Sequence, residues 1–106
     1  MCSVILHMEL TQKIENLEKI AFVLKTIAHP LRYGIVELLV DHEKLSVGEI
    51  CEKLQSEQSL TSHHLTNMKL KGLLKSSRDG KNIYYSLKMK DIEKIIGCIQ
   101  KCDLLE

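Results

Sequence analysis

The side chains with reactive chemistry in this 106-residue chain are four cysteines and a short polar run that ends in two histidines. The cysteines stand at 2, 51, 98 and 102. A thiolate can ligate a soft metal or be oxidised. No Cys-x-x-Cys pair is present, which excludes the usual zinc-knuckle and thioredoxin-like arrangements. Cys98 and Cys102 are spaced to share one face of a helix. Cβ atoms at that spacing lie roughly 5–6 Å apart, whereas a disulfide wants about 3.8 Å. A bond within an undistorted helix is therefore forbidden, while a twofold axis brings like residues together. Three readings stay open for Cys98, Cys102 and Cys51: reduced thiols that fill a core, a redox or sulfur sensor, and an atypical metal site. Cys2 drops out if Met8 rather than Met1 starts the chain. His63 and His64 are neighbours, so they point to different helix faces and do not form a catalytic pair. With no nucleophile beside a base and no glycine-rich phosphate loop, neither an enzyme nor a cofactor is expected.

The run Gln58-Ser59-Leu60-Thr61-Ser62-His63-His64-Leu65 suits a different chemistry. On a helical wheel Gln58, Ser59, Ser62 and His63 fall opposite Leu60, His64 and Leu65. Short polar side chains at a helix N-terminus let the backbone approach base edges, while free N–H groups meet phosphates. Charge points the same way. The whole chain carries +1, yet between Gln58 and Lys90 seven basic residues face only Asp79, a net +6. The remainder holds eight basic and thirteen acidic residues, a net −5. Such a division is what a nucleic-acid-facing element on an otherwise anionic body would show. The expected contacts are Gln58, Ser59, Thr61, Ser62, His63 and Lys69, with Arg78, Lys81 and Asn82 at a hairpin tip. His64 is expected in the core with a hydrogen-bond partner.

The elements that must position these residues follow from periodicity. Leu10, Ile14, Leu17, Ile20, Ala21, Leu24, Ile27 and Ala28 mark one face of a helix from Glu9 to about Ile27, with Phe22 and Val23 off that stripe. His29-Pro30 opens a second helix, Leu31 to about Val40. Ser46 and Glu49 form a capping box for a third, which turns Val47, Ile50 and Leu54 inward. After a polar turn at Gln55 to Glu57, a fourth helix begins near Ser59, buries Leu60, His64, Leu65, Met68 and Leu70, and stops at Gly72. Asp79-Gly80 signals a type I′ hairpin, whose second strand turns Ile83, Tyr85 and Leu87 inward. A last helix from about Lys90 carries Ile92, Ile95, Ile96, Ile99 and Cys102. Four helices, a basic hairpin and a fifth helix form a winged helix-turn-helix: a single, mainly α domain over residues 1–106, with residues 1–8 a disordered lead or extension. No apolar run approaches a membrane span and the N-terminus does not read as a signal peptide, so a cytoplasmic protein is expected.

Four segments carry a family resemblance: Leu24-Lys25-Thr26-Ile27-Ala28-His29-Pro30-Leu31-Arg32, Leu45-Ser46-Val47-Gly48-Glu49-Ile50, Ser62-His63-His64-Leu65 and Gly80-Lys81-Asn82-Ile83-Tyr84-Tyr85. In this order they resemble the ArsR/SmtB family of dimeric winged-helix repressors. The resemblance implies operator DNA as partner and a homodimer formed through residues 9–27 and 90–104. It places base contacts on Gln58, Ser59, Ser62 and His63, and wing contacts near Arg78 and Lys81. It does not extend to the metal sites. The arsenic-sensing triad falls on Ser46, Gly48 and Cys51, and the zinc-sensing ligands fall on Met89, Asp91, Cys102 and Leu105. The second-helix cysteine of persulfide sensors falls on Glu37. No metal site is expected, and the inducer is left open among an oxidant, a sulfur species, a small molecule and a metal. A winged-helix interaction module without operator binding is the alternative.

Overall fold

In the computed structural model, which describes the backbone of residues 2–102 and the side chains of residues 10–102, five helices and three short strands alternate. They are α1 (Cys2–Ile27), α2 (Pro30–Asp41), β1 (Leu45–Ser46), α3 (Val47–Leu54), α4 (Gln58–Leu70), β2 (Leu74–Asp79), β3 (Asn82–Leu87) and α5 (Ile92–Gln100). Met1, the side chain of Cys2 and positions 103–104 of the expected last helix lie outside the described residues.

Local chemistry explains the boundaries. Pro30 opens α2, where a missing N–H costs nothing, and the His29 ring caps it by accepting the Leu31 N–H at 3.1 Å. The capping box of α3 is complete: Ser46 Oγ accepts from the Glu49 N–H at 3.2 Å and Glu49 Oε1 from the Ser46 N–H at 3.0 Å. Those hydrogen bonds hold the Glu49 carboxyl below the usual carboxylate range. Helix α4 ends in a Schellman motif, with the Gly72 N–H donating to Lys69 O and the Leu73 N–H to Met68 O, both at 3.0 Å. Gly72 has φ +86°, the left-handed conformation that this motif requires. Helix α3 ends the same way, but the left-handed position (φ +51°) is filled by Gln55.

The core lies where α2 meets α3, α4, α5 and the sheet. Ile35, Val36, Ile50, Leu65, Met68, Leu73, Leu87 and Ile96 are all buried there. The antiparallel sheet runs β1-β3-β2, with Leu45 opposite Tyr85, Ser46 opposite Tyr84 and Asp79 opposite Asn82. A two-residue strand at Leu45–Ser46 was not expected from the sequence, because a pair of residues has no periodicity to read. The hairpin turn also differs. Asp79 is paired, so the loop is Gly80-Lys81, with positive φ at Gly80 (+63°) and not at Lys81. That is the pattern of a type II′ turn, not type I′.

Other expectations are corrected by packing. Helix α1 begins at Cys2 instead of Glu9, so residues 2–8 are helical and not a disordered lead. Its Leu10, Ile14, Leu17, Ile20 and Leu24 are 44–57% exposed, and the buried residues are Val23, Thr26 and Ile27. A 26-residue helix is about 39 Å long, and only its last turns reach the 12-residue α2. Leu60, Leu70 and Ile83 were placed inward and are exposed. Helix α5 stops at Gln100, so Cys102 lies beyond it.

Replacing Gln55 with glycine removes a left-handed side chain and should raise unfolding stability by about 1 kcal/mol, whereas Gly72→Ala should lower it by about as much. Urea midpoints at unchanged m-value check both.

Candidate nucleic-acid interface

Helix α4 is held by one face. Thr61, Leu65 and Met68 are fully buried and His64 nearly so. Thr61 was expected to contact nucleic acid, and the structure overturns that: its hydroxyl lies 2.6 Å from Ser56 Oγ, in the turn that joins α3 to α4. The opposite face is free. Gln58, Ser59, His63, Thr66, Lys69 and Leu70 are exposed there and Ser62 is half-buried. Thr66 was missed, although it stands three residues after His63 and seven after Ser59, the spacing of a single helix face.

The N-terminus of α4 is uncapped by side chains. Glu57 sits at the N-cap, but its Oε1 accepts the Ser59 hydroxyl at 2.8 Å instead of a backbone N–H. The first N–H groups of the helix thus keep their capacity to meet an anion, with one carboxylate beside them.

A groove of about 310 Å³ separates this end of α4 from the wing. It is lined by Ser46, Val47 and Gly48 at the start of α3, Gln58 and Ser62 of α4, and Lys81, Asn82 and Ile83 of the wing. Four expected residues, Gln58, Ser62, Lys81 and Asn82, therefore converge although the two pairs are at least 19 positions apart in the sequence. Arg78 is exposed on β2 opposite Ile83, and Lys69 lies near the far end of α4, so neither lines the groove. Ile83 and the Gly48 backbone were missed. Alternation assigned Ile83 to the core, but the strand runs past the edge of the core at that point.

Beneath α4, Arg32 of α2 donates from Nε to His64 Nδ1 at 3.0 Å and from Nη1 to the Thr26 carbonyl of α1 at 3.3 Å. The partner expected for His64 is therefore an arginine. The His29 ring lies 4.6 Å from that of His64, centroid to centroid, and the His63 ring 5.8 Å. Burial, then the neighbouring His29, Arg32 and His63, lowers the His64 pKa below 6.5.

The cysteines do not assemble. Cys98 and Cys102 are exposed and Cys51 is half-buried, so core filling does not describe the first two. Among the described residues no group of three or more His, Cys, Asp or Glu could hold a metal ion. Among them also, no helix is long and apolar enough to cross a membrane.

Residues 29–76 match the bacterial regulatory protein, arsR family. The chain is 45% identical over 86 residues to the transcriptional repressor PagR of Bacillus anthracis, covering 79% of this chain and 86% of that protein. The crystal structure of PagR superposes with TM-score 0.72, at 42% identity over 81% of this chain and 98% of that one. The transcriptional activator HlyU of Vibrio cholerae is 30% identical over 94 residues, which is 89% of this chain and 86% of HlyU. The homodimeric winged helix-turn-helix DNA-binding domain of Mb0332 from Mycobacterium bovis superposes with TM-score 0.70, at 26% identity over 84% of this chain and 82% of that one.

Thr61→Val should lower stability by about 1–2 kcal/mol, because Ser56 Oγ loses its partner. If Thr61 only seats the helix, the variant keeps the wild-type salt dependence of DNA binding. Urea denaturation and fluorescence anisotropy between 50 and about 200 mM salt measure the two.

Proposed function

The chain belongs to the arsR family of bacterial regulatory proteins and is a DNA-binding transcriptional regulator, and from that premise we propose that it is a cytoplasmic, homodimeric repressor that reads operator DNA with α4. The observation that carries this reading is the groove in which Gln58 and Ser62 face Lys81 and Asn82. It sits in the third of the chain that bears a net +6. An interaction module that had lost operator binding would have no reason to keep that charge.

The side chains divide by chemistry. Gln58 has the amide that pairs with an adenine edge, and Ser62 and His63 offer shorter donors and acceptors to the bases beside it. Ser59 and Thr66 continue that face. Lys81, Arg78 and Lys69 are phosphate contacts, which set orientation without reading sequence. The homodimer is supported by the apolar stripe of α1, which no other described residue covers. A cleft of about 590 Å³ between α1 and the start of α5, floored by Ile20, Val23, Ile92 and Ile95, continues that stripe. Repression follows the name of PagR. HlyU, less similar to this chain at 30% identity, is named an activator.

A duplex selected from a random library should bind far tighter than its scrambled sequence. Gln58→Ala should narrow that gap by about 1–3 kcal/mol, while Lys81→Ala weakens both duplexes alike and lowers the salt slope by about one. Equal binding of selected and scrambled duplexes at every salt concentration would sink the sequence-reading claim.

The exposure of Cys98 and Cys102 favours a thiol input. Two thiols, one from each protomer, would give their two hydrogens to hydrogen peroxide, forming one disulfide and two waters. Mild peroxide should then weaken DNA binding ten-fold or more, about 1.4 kcal/mol, reversibly with reductant and not in Cys98→Ser or Cys102→Ser. Equal affinity in both states would move the input to a metal, a small molecule or a partner protein.

A further inference from the structure

His64 is the polar side chain on which the seat of α4 turns. It is 93% buried, since 7% of it is exposed. Its Nδ1 accepts from Arg32, so the ring is neutral with its proton on Nε2, and that buried Nε2 has no hydrogen-bond partner. Arg32 is the other end of the contact. Its second donor goes to the carbonyl of Thr26 in the last turn of α1, where backbone carbonyls lack helical partners and a cation is favoured. One guanidinium thus ties the C-terminus of α1 to the middle of α4, and no other described side chain bridges these two helices by hydrogen bonds.

We infer that Arg32 is a positioning residue for α4, and that its bond to His64 makes operator reading sensitive to acid while bulk attraction to DNA is not weakened. This rests on the DNA-reading role given above to the outer face of α4. A proton on Nδ1 would set donor against donor and place an imidazolium against a guanidinium. The titratable and charged groups that act on His64 are Arg32 of α2, His29 at its N-cap and His63 of α4 itself, none of which can stabilise an added positive charge. From α1 the tie meets only the neutral Thr26 carbonyl.

A histidine that resists protonation when folded contributes its stability fully above the unfolded value of 6.5, and that contribution is lost as pH falls through the lower, folded value. Attraction to DNA of any sequence does not pass through this bond, since His64 is buried and Arg32 half-buried beneath α4. Reading and bulk attraction therefore separate by sequence: scrambled DNA should bind as well in acid, and the selected duplex worse.

The test uses the full chain, a 30-bp duplex selected from a random library, and its scrambled counterpart, titrated by anisotropy from about pH 8 to 5.5. As pH falls through the lowered His64 value the selected duplex should lose affinity by up to about ten-fold per pH unit, the limit for one linked proton, while the scrambled duplex does not. His64→Asn, whose Oδ1 can still accept from Arg32 but cannot titrate, should keep affinity at pH 7.5 and abolish the acid loss. Arg32→Met should weaken the selected duplex at pH 7.5 with an unchanged salt slope, whereas a direct phosphate contact would lower the slope by about one. Superimposable pH profiles for wild type and His64→Asn, or a reduced slope in Arg32→Met, would overturn the inference. Should His64→Asn not fold, the imidazole ¹⁵N shifts of the native chain decide: a proton on Nδ1 at pH 7.5 excludes the tie. Failure to prefer any duplex at pH 7.5 refutes the DNA-reading role itself; a preferred duplex with a flat pH profile refutes only the tie.

Discussion

The seating of α4 on α2 is the constraint from which the rest of the molecule follows. Thr61, His64, Leu65 and Met68 form one continuous buried face. Burying Leu65 and Met68 contributes about 1.5–3 kcal/mol each. The Thr61 hydroxyl and the His64 Nδ1 add little net energy, because they exchange water for Ser56 and Arg32, while the buried Nε2 of His64 is left unpaired at a cost. What they add is rotation. Leucine and methionine tolerate several packings, whereas a hydroxyl bonded to the preceding turn and an imidazole bonded to α2 fix which way the helix is turned. The opposite face, with Ser59, His63 and Thr66, is thereby presented outward in one orientation.

The wing depends on the same core from the other side. Strand β3 is bonded to β2 along its whole length and to β1 at its middle, through Tyr84 and Tyr85. Ser46 pairs with Tyr84 in the sheet and also caps α3. The start of the helix-turn-helix and the root of the wing are thus one piece of backbone. This places Lys81 and Asn82 across the groove from Gln58 and Ser62. Lys44 reinforces the junction, its ammonium 5.0 Å above the Tyr84 ring.

Helix α1 is the part the chain does not complete alone. Its C-terminal turn is bound by Val23 and Ile27 in the core and by Arg32 at the Thr26 carbonyl, while the apolar stripe before it faces outward. A stripe of this length marks an interaction surface. In the proposed homodimer, a second copy would cover it with the chemistry it needs. Because Arg32 grips both α1 and α4, the helix that carries the apolar stripe and the helix proposed to read DNA share one side chain.

How much of this was legible in the sequence depends on the range of the interaction responsible. Capping and helix termination act over three to five residues, so Ser46 with Glu49, Pro30 and Gly72 announced the boundaries of α2, α3 and α4 directly. The order of elements, the charged third and the polar face of α4 were also written in local pattern. Amphipathicity, however, says that a face is apolar, not what covers it: the stripe of α1 was read correctly as apolar and turned out uncovered. A threonine among serines reads as a surface residue until a turn folds back on it, as Ser56 does on Thr61. Two residues become β1 only because Tyr84 and Tyr85 arrive beside them, and Asp79 joins a strand because Asn82 pairs with it. The bond from Arg32 to His64 spans thirty-two residues and leaves no trace in spacing. Sequence alone therefore determined the helices, the hairpin, their order and the cationic character of one third of the chain, since each is set by neighbours along the chain. The tertiary structure decided which side of each element is covered and which groups meet, because those depend on partners that only folding brings within reach.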